Sequence, residues 1–293
     1  MANKNKIAFI HNSKVPEAKQ LAENLVSQLS ISGISWISSA GDLHDKQDEL
    51  NTTHVAIIIG GDGTILRAIR VISPHNVPVV GIKMGKVGFM AELTPENALQ
   101  NLKHYINYIP FDSGSIRLEK RMMITAHICM ADSNSSRLTL HALNDISVSS
   151  SKVSRLVELK ATVNNLHLTN YRADAIITST ATGSTGYSLS AGGPIIFPEA
   201  EMMLLQPVAA HTGLRDGLIL APDSVIELSP SVDYQASISA DGFIDSNLDP
   251  DERIIISKSK NNALFLRSKK PDFFYEALNM RLGLAYRSQR PVE

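Results

Sequence analysis

An apolar run that ends in glycines and resumes at helical spacing leaves a chain few ways to fold, and Val55 to Arg70, VAIIIGGDGTILRAIR, is such a run. Four apolar residues from Ala56 to Ile59, bounded by glycine, fit a strand buried on both faces of a parallel sheet. Ile65, Leu66 and Ile69 supply the inner face of a following helix. Gly60, Gly61, Asp62, Gly63 and Thr64 then occupy the loop at the strand's carboxyl end. Ligands of open α/β sheets bind in that crevice, where glycines let backbone N–H groups approach phosphate oxygens and the helix N-terminus favours negative charge. Asp62 is the odd member of such a loop, because carboxylate and phosphate repel unless something mediates. It is expected to meet a metal ion, a sugar hydroxyl or a substrate proton, or else to be a turn residue satisfying its own backbone.

The flanking segments alternate in the same way. Ile7 to Ile10 reads as a first strand, Pro16 opens a helix with Ala18, Leu21, Leu25 and Leu29 on one face, and Ile34 to Ile37 is a second strand. Val77 to Ile82 is a further buried strand, followed by a glycine-rich turn, Gly81 to Phe89, without dinucleotide-fingerprint spacing. That turn is either a tight connection or a wall facing the first loop. Thr94-Pro95-Glu96 starts a helix to about Tyr108. No G-x-x-x-x-G-K-[ST] pattern is present, which argues against a P-loop NTPase.

From Ser113 the texture changes to strands separated by turn residues, so a β-rich domain is expected after an α/β domain, with boundaries at 1–110, 111–270 and 271–293. Ser115 to Met130 and Leu138 to Ser149 are strand-like, and Asn164-Asn165 between Arg155–Val163 and Leu166–Arg172 signals a two-residue hairpin. Within this domain Ser179 to Tyr187 places hydroxyls and glycines at a strand-to-helix junction, again with exposed amides. Two small-residue loops imply a two-part ligand site, the alternative being a Ser/Thr-capped helix entering a core. Asn144-Asp145 is a polar pair among Ala142, Leu143 and Ile146, and buried polar groups need partners, of which a ligand is one.

Composition narrows the partners. At 293 residues and 43% hydrophobic content the chain can bury one large or two ordinary cores, two being preferred, and a formal net charge of −1 without a basic stripe argues against nucleic acid. The single cysteine, Cys129, sits in an apolar run and reads as a buried inert thiol, and the nine histidines show no metal-ligand spacing, so no metal-binding residues are assigned. The N-terminal apolar run is too short for a signal peptide and no segment reaches 18 apolar residues, from which a cytoplasmic chain without membrane partners is expected.

In this order and combination, the motifs resemble those of the bacterial-type NAD kinases across nearly the whole chain. Gly60 to Thr64 looks like the family's phosphate loop and Gly81 to Phe89 like its following turn. Asn144-Asp145 falls where the family has Asn-Glu, and Thr182-Gly183-Ser184-Thr185-Gly186-Tyr187 resembles its Thr-Gly-Ser-Thr-Ala-Tyr segment. The resemblance implies ATP-dependent phosphorylation of the 2′-hydroxyl of the adenosine ribose of NAD, with Mg²⁺ or another divalent cation, and assembly as a homodimer or homotetramer. It implies a Rossmann-like α/β domain with a parallel sheet, a β-rich domain, and a C-terminal helix, Phe273 to Tyr286, returning to the first. Carried over by residue, Asp62 matches the base or substrate-orienting carboxylate, with Gly60, Gly61, Gly63 and Thr64 in the nucleotide loop. Asn144 and Asp145 match the nucleotide-binding pair, Thr182, Ser184 and Tyr187 the segment lining the adenine and nicotinamide ends, and Asp174 a carboxylate on the nicotinamide side. Two other functions are compatible with a GGDG loop: a diacylglycerol- or sphingosine-type lipid kinase, and a non-catalytic dinucleotide sensor. The hydroxyl-rich acceptor segment argues against the first, and an intact Asp62 against the second.

Overall fold

The computed structural model describes residues 5–85, 88–108, 115–133, 135–152, 155–231 and 235–283. The chain divides into two compact units, residues 1–119 with 264–293, and residues 120–263. In the first unit four parallel strands, β1 (Lys6–His11), β2 (Ser35–Ser39), β3 (Thr53–Gly60) and β4 (Val79–Lys83), lie in the order β2-β1-β3-β4. They alternate with α1 (Pro16–Gln28), a short α2 (Gln47–Asn51), α3 (Asp62–Ile72) and α4 (Pro95–Ile106). From Val55 onward β3 is buried throughout, as a strand covered on both faces must be. Val55, Ile57 and Ile59 join Ile7, Phe9, Leu25, Leu102 and Tyr105 in one core. Because β1 leads outward to β2 and β3 returns on its other side, the strand order reverses between β1 and β3. A ligand crevice opens at such a reversal, and the Gly60–Gly63 loop leaves β3 there. The start of α4 carries a reciprocal cap between Thr94 and Asn97 behind Pro95.

The second unit is β-rich. β5 (Arg117–Met130) pairs antiparallel with β6 (Ser136–Ala142). A six-stranded antiparallel sheet contains β7 (Asp145–Ser150), β10 (Ala175–Thr180), β11 (Met203–Val208), β12 (Leu218–Leu220), β14 (Ala236–Ala240) and β15 (Phe243–Leu248) in the order β12-β11-β10-β7-β14-β15. β8 (Val157–Val163), β9 (Leu166–Ala173) and β13 (Ile226–Pro230) pair with the first part of β16 (Glu252–Arg267) in the order β16-β13-β8-β9. Their inner faces share one core that includes Ile124, Val148, Leu159, Tyr171, Ile176, Leu228 and Ile238. The hairpin between β8 and β9 turns at Asn164 and Asn165, both left-handed at φ +52° and +65°, the conformation a type I′ turn requires. Cys129, the single cysteine, is buried and in no disulfide.

One strand expectation is corrected. Leu138 to Ser149 is not continuous: β6 stops at Ala142 and β7 starts at Asp145, because the N–H groups of Leu143, Asn144 and Asp145 are taken by the carboxylate of Asp241 instead of a strand partner. The second strand also starts one residue later and ends two residues later than its apolar pattern suggests, at Ser35–Ser39.

The last stretch of chain belongs to the first unit. Phe265 of β16 pairs in parallel with Val79 of β4. Arg267 is buried and donates to the carbonyl of Met90 at 2.9 Å, with Glu92 and Glu119 as ion partners at 3.2 and 3.3 Å. A buried guanidinium is tolerable only when paired in this way, and the pairing fixes the segment that follows the second glycine turn. Tyr105 joins it by donating to Glu92 at 3.1 Å, and burial pushes its phenol up to about 12. α6 (Phe273–Leu282) follows and closes on Gly283 at φ +66°. Tyr286, expected in that helix, lies outside the described residues. No residue of α6 is fully buried. It is held at its rim, with Phe274 against Phe89 at 6.1 Å and Arg281 over the Phe89 ring at 4.4 Å.

Candidate active site

In the first unit Gly61 is the N-cap of α3 and its carbonyl accepts from the N–H groups of Thr64 and Ile65. Thr64 folds back over Gly60, where a Cβ would lie 2.5 Å from its hydroxyl oxygen, so packing demands glycine there. At Gly61 and Gly63 an added Cβ would touch nothing. Glycine at those two positions leaves room for a ligand rather than for the protein itself, as a phosphate-approaching backbone requires.

Asp62 opens α3 but does not turn back on its own loop. Its Oδ2 accepts the N–H of Phe89 at 3.3 Å and lies 4.0 Å from Nη1 of Arg281, while Oδ1 is buried with no hydrogen-bond partner among the described residues. A Cβ on Gly88 would overlap this carboxylate, so the second glycine turn packs as a wall directly against Asp62, and a larger residue there has to displace the side chain or the turn. Lys83, at the end of β4, is paired in register with Gly60. Burial pulls its ammonium below the usual lysine range, the charge of Asp62 raises it, and Arg281 lowers it. Among the described residues, Lys83 and Arg281 thus lie near the Asp62 carboxylate at the start of α3.

The second unit holds a cavity of about 270 Å³ lined by Asn144, Asp145, Ser147, Tyr187, Ser239, Asp241 and Gly242. It sits where three neighbouring strands end together: Asp145 of β7 pairs with Ser179 of β10, and Ile146 with Ala240 of β14. Asp145 is 5% exposed, and burial first, then the charge of Asp241, raises its carboxyl to about 7. Near neutrality it is thus able both to donate and to accept a hydrogen bond. The Asn144 Oδ1 is buried without a partner among the described residues. Behind the pair, Gly183 lies so close that a Cβ would overlap the Asn144 carbonyl oxygen, and Thr180 Oγ1 donates to the Leu143 carbonyl at 2.6 Å.

The remaining expected site residues fall in different places. Tyr187 opens α5 (Tyr187–Ser190), is 45% exposed, and lines the cavity; burial raises its phenol, with Asp174 and Asp145 adding to the effect. Asp174 is exposed at the break between β9 and β10, within electrostatic reach of Tyr187. Thr182 is buried with its hydroxyl unpartnered among the described residues. Ser184, expected to line the ligand, is instead fully buried: its hydroxyl donates to the Ala181 carbonyl at 2.6 Å and accepts from the Ile196 N–H at 2.9 Å, so it braces the loop from behind. Asp241, Gly88 and Arg281 were not singled out from the sequence. Asp241-Gly242 has only the signature of a hairpin turn, and nothing local marks Arg281, far along the chain, as a neighbour of Asp62. Among the described residues no group of three or more His, Cys, Asp or Glu side chains is placed to hold a metal ion.

Family models for the ATP-NAD kinase N-terminal and C-terminal domains match residues 46–108 and 143–268. An NAD kinase of Dehalococcoides mccartyi is 34% identical over 278 residues, covering 94% of this chain and 95% of that protein. One of Chloroflexus aggregans is 31% identical over 279 residues, with 94% and 98% covered. Among solved structures, an NAD kinase from Archaeoglobus fulgidus in complex with ATP superposes with a TM-score of 0.71 at 26% identity, over 93% of this chain and 98% of that one. A yeast NADH kinase complexed with NADH shares the fold at a TM-score of 0.83 and 23% identity, over 99% and 91%. With both domain models matched in order and bacterial relatives aligned along nearly its full length, the chain belongs to the ATP-NAD kinase family.

Proposed function

We propose that this protein transfers the γ-phosphoryl group of ATP to the 2′-hydroxyl of the adenosine ribose of NAD, giving ADP and NADP. Phosphoryl transfer asks little covalent chemistry of a protein; it needs positioning, charge neutralisation and a group that orients or deprotonates the attacking hydroxyl. The observation that carries the reading is the state of Asp62: one carboxylate oxygen is anchored by the Phe89 N–H, and the other has no partner among the described residues. Such an oxygen is placed to take a hydroxyl proton. Gly60, Gly61, Gly63 and Thr64 hold the triphosphate against the α3 N-terminus, with Lys83 and Arg281 near it. In the second unit Asn144 and Asp145 take ribose hydroxyls, and Tyr187, Thr182 and Asp174 contact the rest of the dinucleotide.

The donor set fits a divalent cation carried by the triphosphate, with Asp62 as the one carboxylate at the glycine loop, rather than a cage built by the protein. Bound in that way Mg²⁺, or another divalent ion, neutralises charge on the phosphates. Residence in the cytoplasm and assembly as a homodimer or homotetramer belong to the same reading. No helix among the described residues is long and apolar enough to cross a membrane. A lipid kinase is disfavoured because Asn144, Asp145, Ser147, Tyr187, Ser239 and Asp241 line the cavity with polar groups that ribose hydroxyls would pair and an acyl chain would leave unpaired.

The test is a coupled NADP assay crossing NAD and NADH against ATP and polyphosphate. NAD-dependent release of ADP is expected; its absence would sink the kinase reading, and would leave binding without turnover as the mark of a sensor.

A further inference from the structure

Asp241 sits in the two-residue turn between β14 and β15 at φ +52°, a left-handed position that Asp tolerates better than most residues. A turn aspartate ordinarily bonds to its own turn. This one reaches a segment almost a hundred residues away in sequence. Its Oδ2 accepts the N–H of Leu143 at 3.1 Å, and its Oδ1 accepts those of Asn144 at 2.6 Å and Asp145 at 3.3 Å. The contact is reciprocal, since the Asp241 N–H donates to the Asp145 carbonyl at 2.9 Å. Three successive amides curled about one oxyanion are an anion-binding concavity, and here the anion is part of the chain. The group is 8% exposed, so the three donors have little water to fall back on.

The consequence is local and specific. With its backbone N–H turned onto Asp241, Asn144 stays out of the strand ladder, Asp145 opens β7 beside it, and both side chains line the cavity. The carbonyls on the far side are held too: Thr180 donates its side chain to Leu143 and its N–H to Asn144, at 2.6 and 2.9 Å. We propose that Asp241 is a positioning residue for dinucleotide recognition, its carboxylate holding the Leu143–Asp145 bend in the one arrangement that presents Asn144 and Asp145 together to the ligand. The proposal rests on the second-unit cavity being the dinucleotide site. Asp241 needs no contact with substrate for this; it acts through the pair.

The experiment compares wild type with Asp241→Asn and Asp241→Ala by calorimetry with NAD and, separately, with ATP, alongside steady-state kinetics and Tm. Asparagine keeps one oxygen for the Asn144 and Asp145 amides and loses only the acceptor for Leu143, so NAD affinity should weaken by about threefold. Alanine abandons all three donors and should weaken NAD by tenfold or more, with ATP affinity unchanged in both variants. A graded loss confined to NAD supports the proposal. NAD affinity within twofold of wild type in Asp241→Ala overturns it, and so does an equal loss for NAD and ATP tracking a fall in Tm, which marks a purely structural residue. If Asp241→Ala does not fold, the isosteric Asp241→Asn decides alone: unchanged NAD affinity there overturns the proposal. A wild type that binds NAD without turning it over would defeat the kinase reading, while the calorimetric comparison would still decide the role of Asp241.

Discussion

Asp62 and Asp145 are carboxylates in opposite situations, and each leads to its own expectation. A secondary hydroxyl has a pKa far above neutrality, so in the proposed mechanism Asp62 accepts its proton only as bonding to phosphorus develops, and the interaction grows in the transition state. Asparagine at 62 would still offer an oxygen to the Phe89 N–H, which predicts an intact loop and retained NAD affinity with kcat lower by roughly 10²–10⁴. A kcat within about threefold of wild type would remove Asp62 from the catalytic role. Asp145, by contrast, keeps its proton in the folded chain up to about pH 7, whereas an unfolded aspartate releases it near pH ~3.9. Between these values the folded state binds the extra proton, so its stability falls as pH rises through the window and the loss is complete above it. Asp145→Asn cannot ionise, so ligand-free variant should exceed wild type in Tm near pH 8 and lose that advantage near pH 4. A Tm difference that is the same at both pH values would contradict a proton held by burial.

The element that matters most to Asp62 is the turn after β4. The buried pairing of Arg267 with Glu92, Glu119 and the Met90 carbonyl fixes the end of that turn, and Phe89 is flanked by Phe274 and Arg281 of α6. Gly88 stands directly against the carboxylate, so Gly88→Ala must push Asp62 or the turn aside. Displacement of a reacting group by about 1 Å can cost on the order of 10²-fold, and kcat in Gly88→Ala should fall by roughly that factor while NAD affinity holds. Wild-type kcat in this variant would show that the turn is not a rigid wall. The glycine pattern from Gly81 to Phe89 was legible in the sequence as a turn, but its two readings, connection or wall, could not be separated there. The choice depends on which backbone approaches which side chain, and adjacent glycines carry no record of that.

At the scale of the whole molecule, the reading predicts that NADP formation needs a divalent cation, since the triphosphate's charge must be neutralised for transfer. Excess EDTA should abolish turnover and leave NAD affinity intact, as the second-unit cavity relies on hydrogen-bonding side chains; undiminished rates in EDTA would refute the requirement. The two-part character of the chain was open to sequence reading because burial imposes a pattern: β3 is apolar from Val55 to Ile59 because both its faces are covered, and the β-rich region is broken by turn residues such as Asn164-Asn165. The same holds for motifs whose members are contiguous, Gly60 to Thr64, Asn144-Asp145 and Thr182 to Tyr187, since adjacent residues act together wherever the chain runs. What the sequence by itself determined is therefore the local part: strand, loop and helix start around Asp62, and the small-residue junction near Tyr187. Only the tertiary structure decided that Leu143 breaks a strand, that Ser184 is buried against Ala181 and Ile196, and that Asp241 lies against Asn144 and Arg281 beside Asp62. Those assignments depend on hydrogen bonds and ion pairs between segments far apart in sequence, and contacts of that kind leave no periodicity to read.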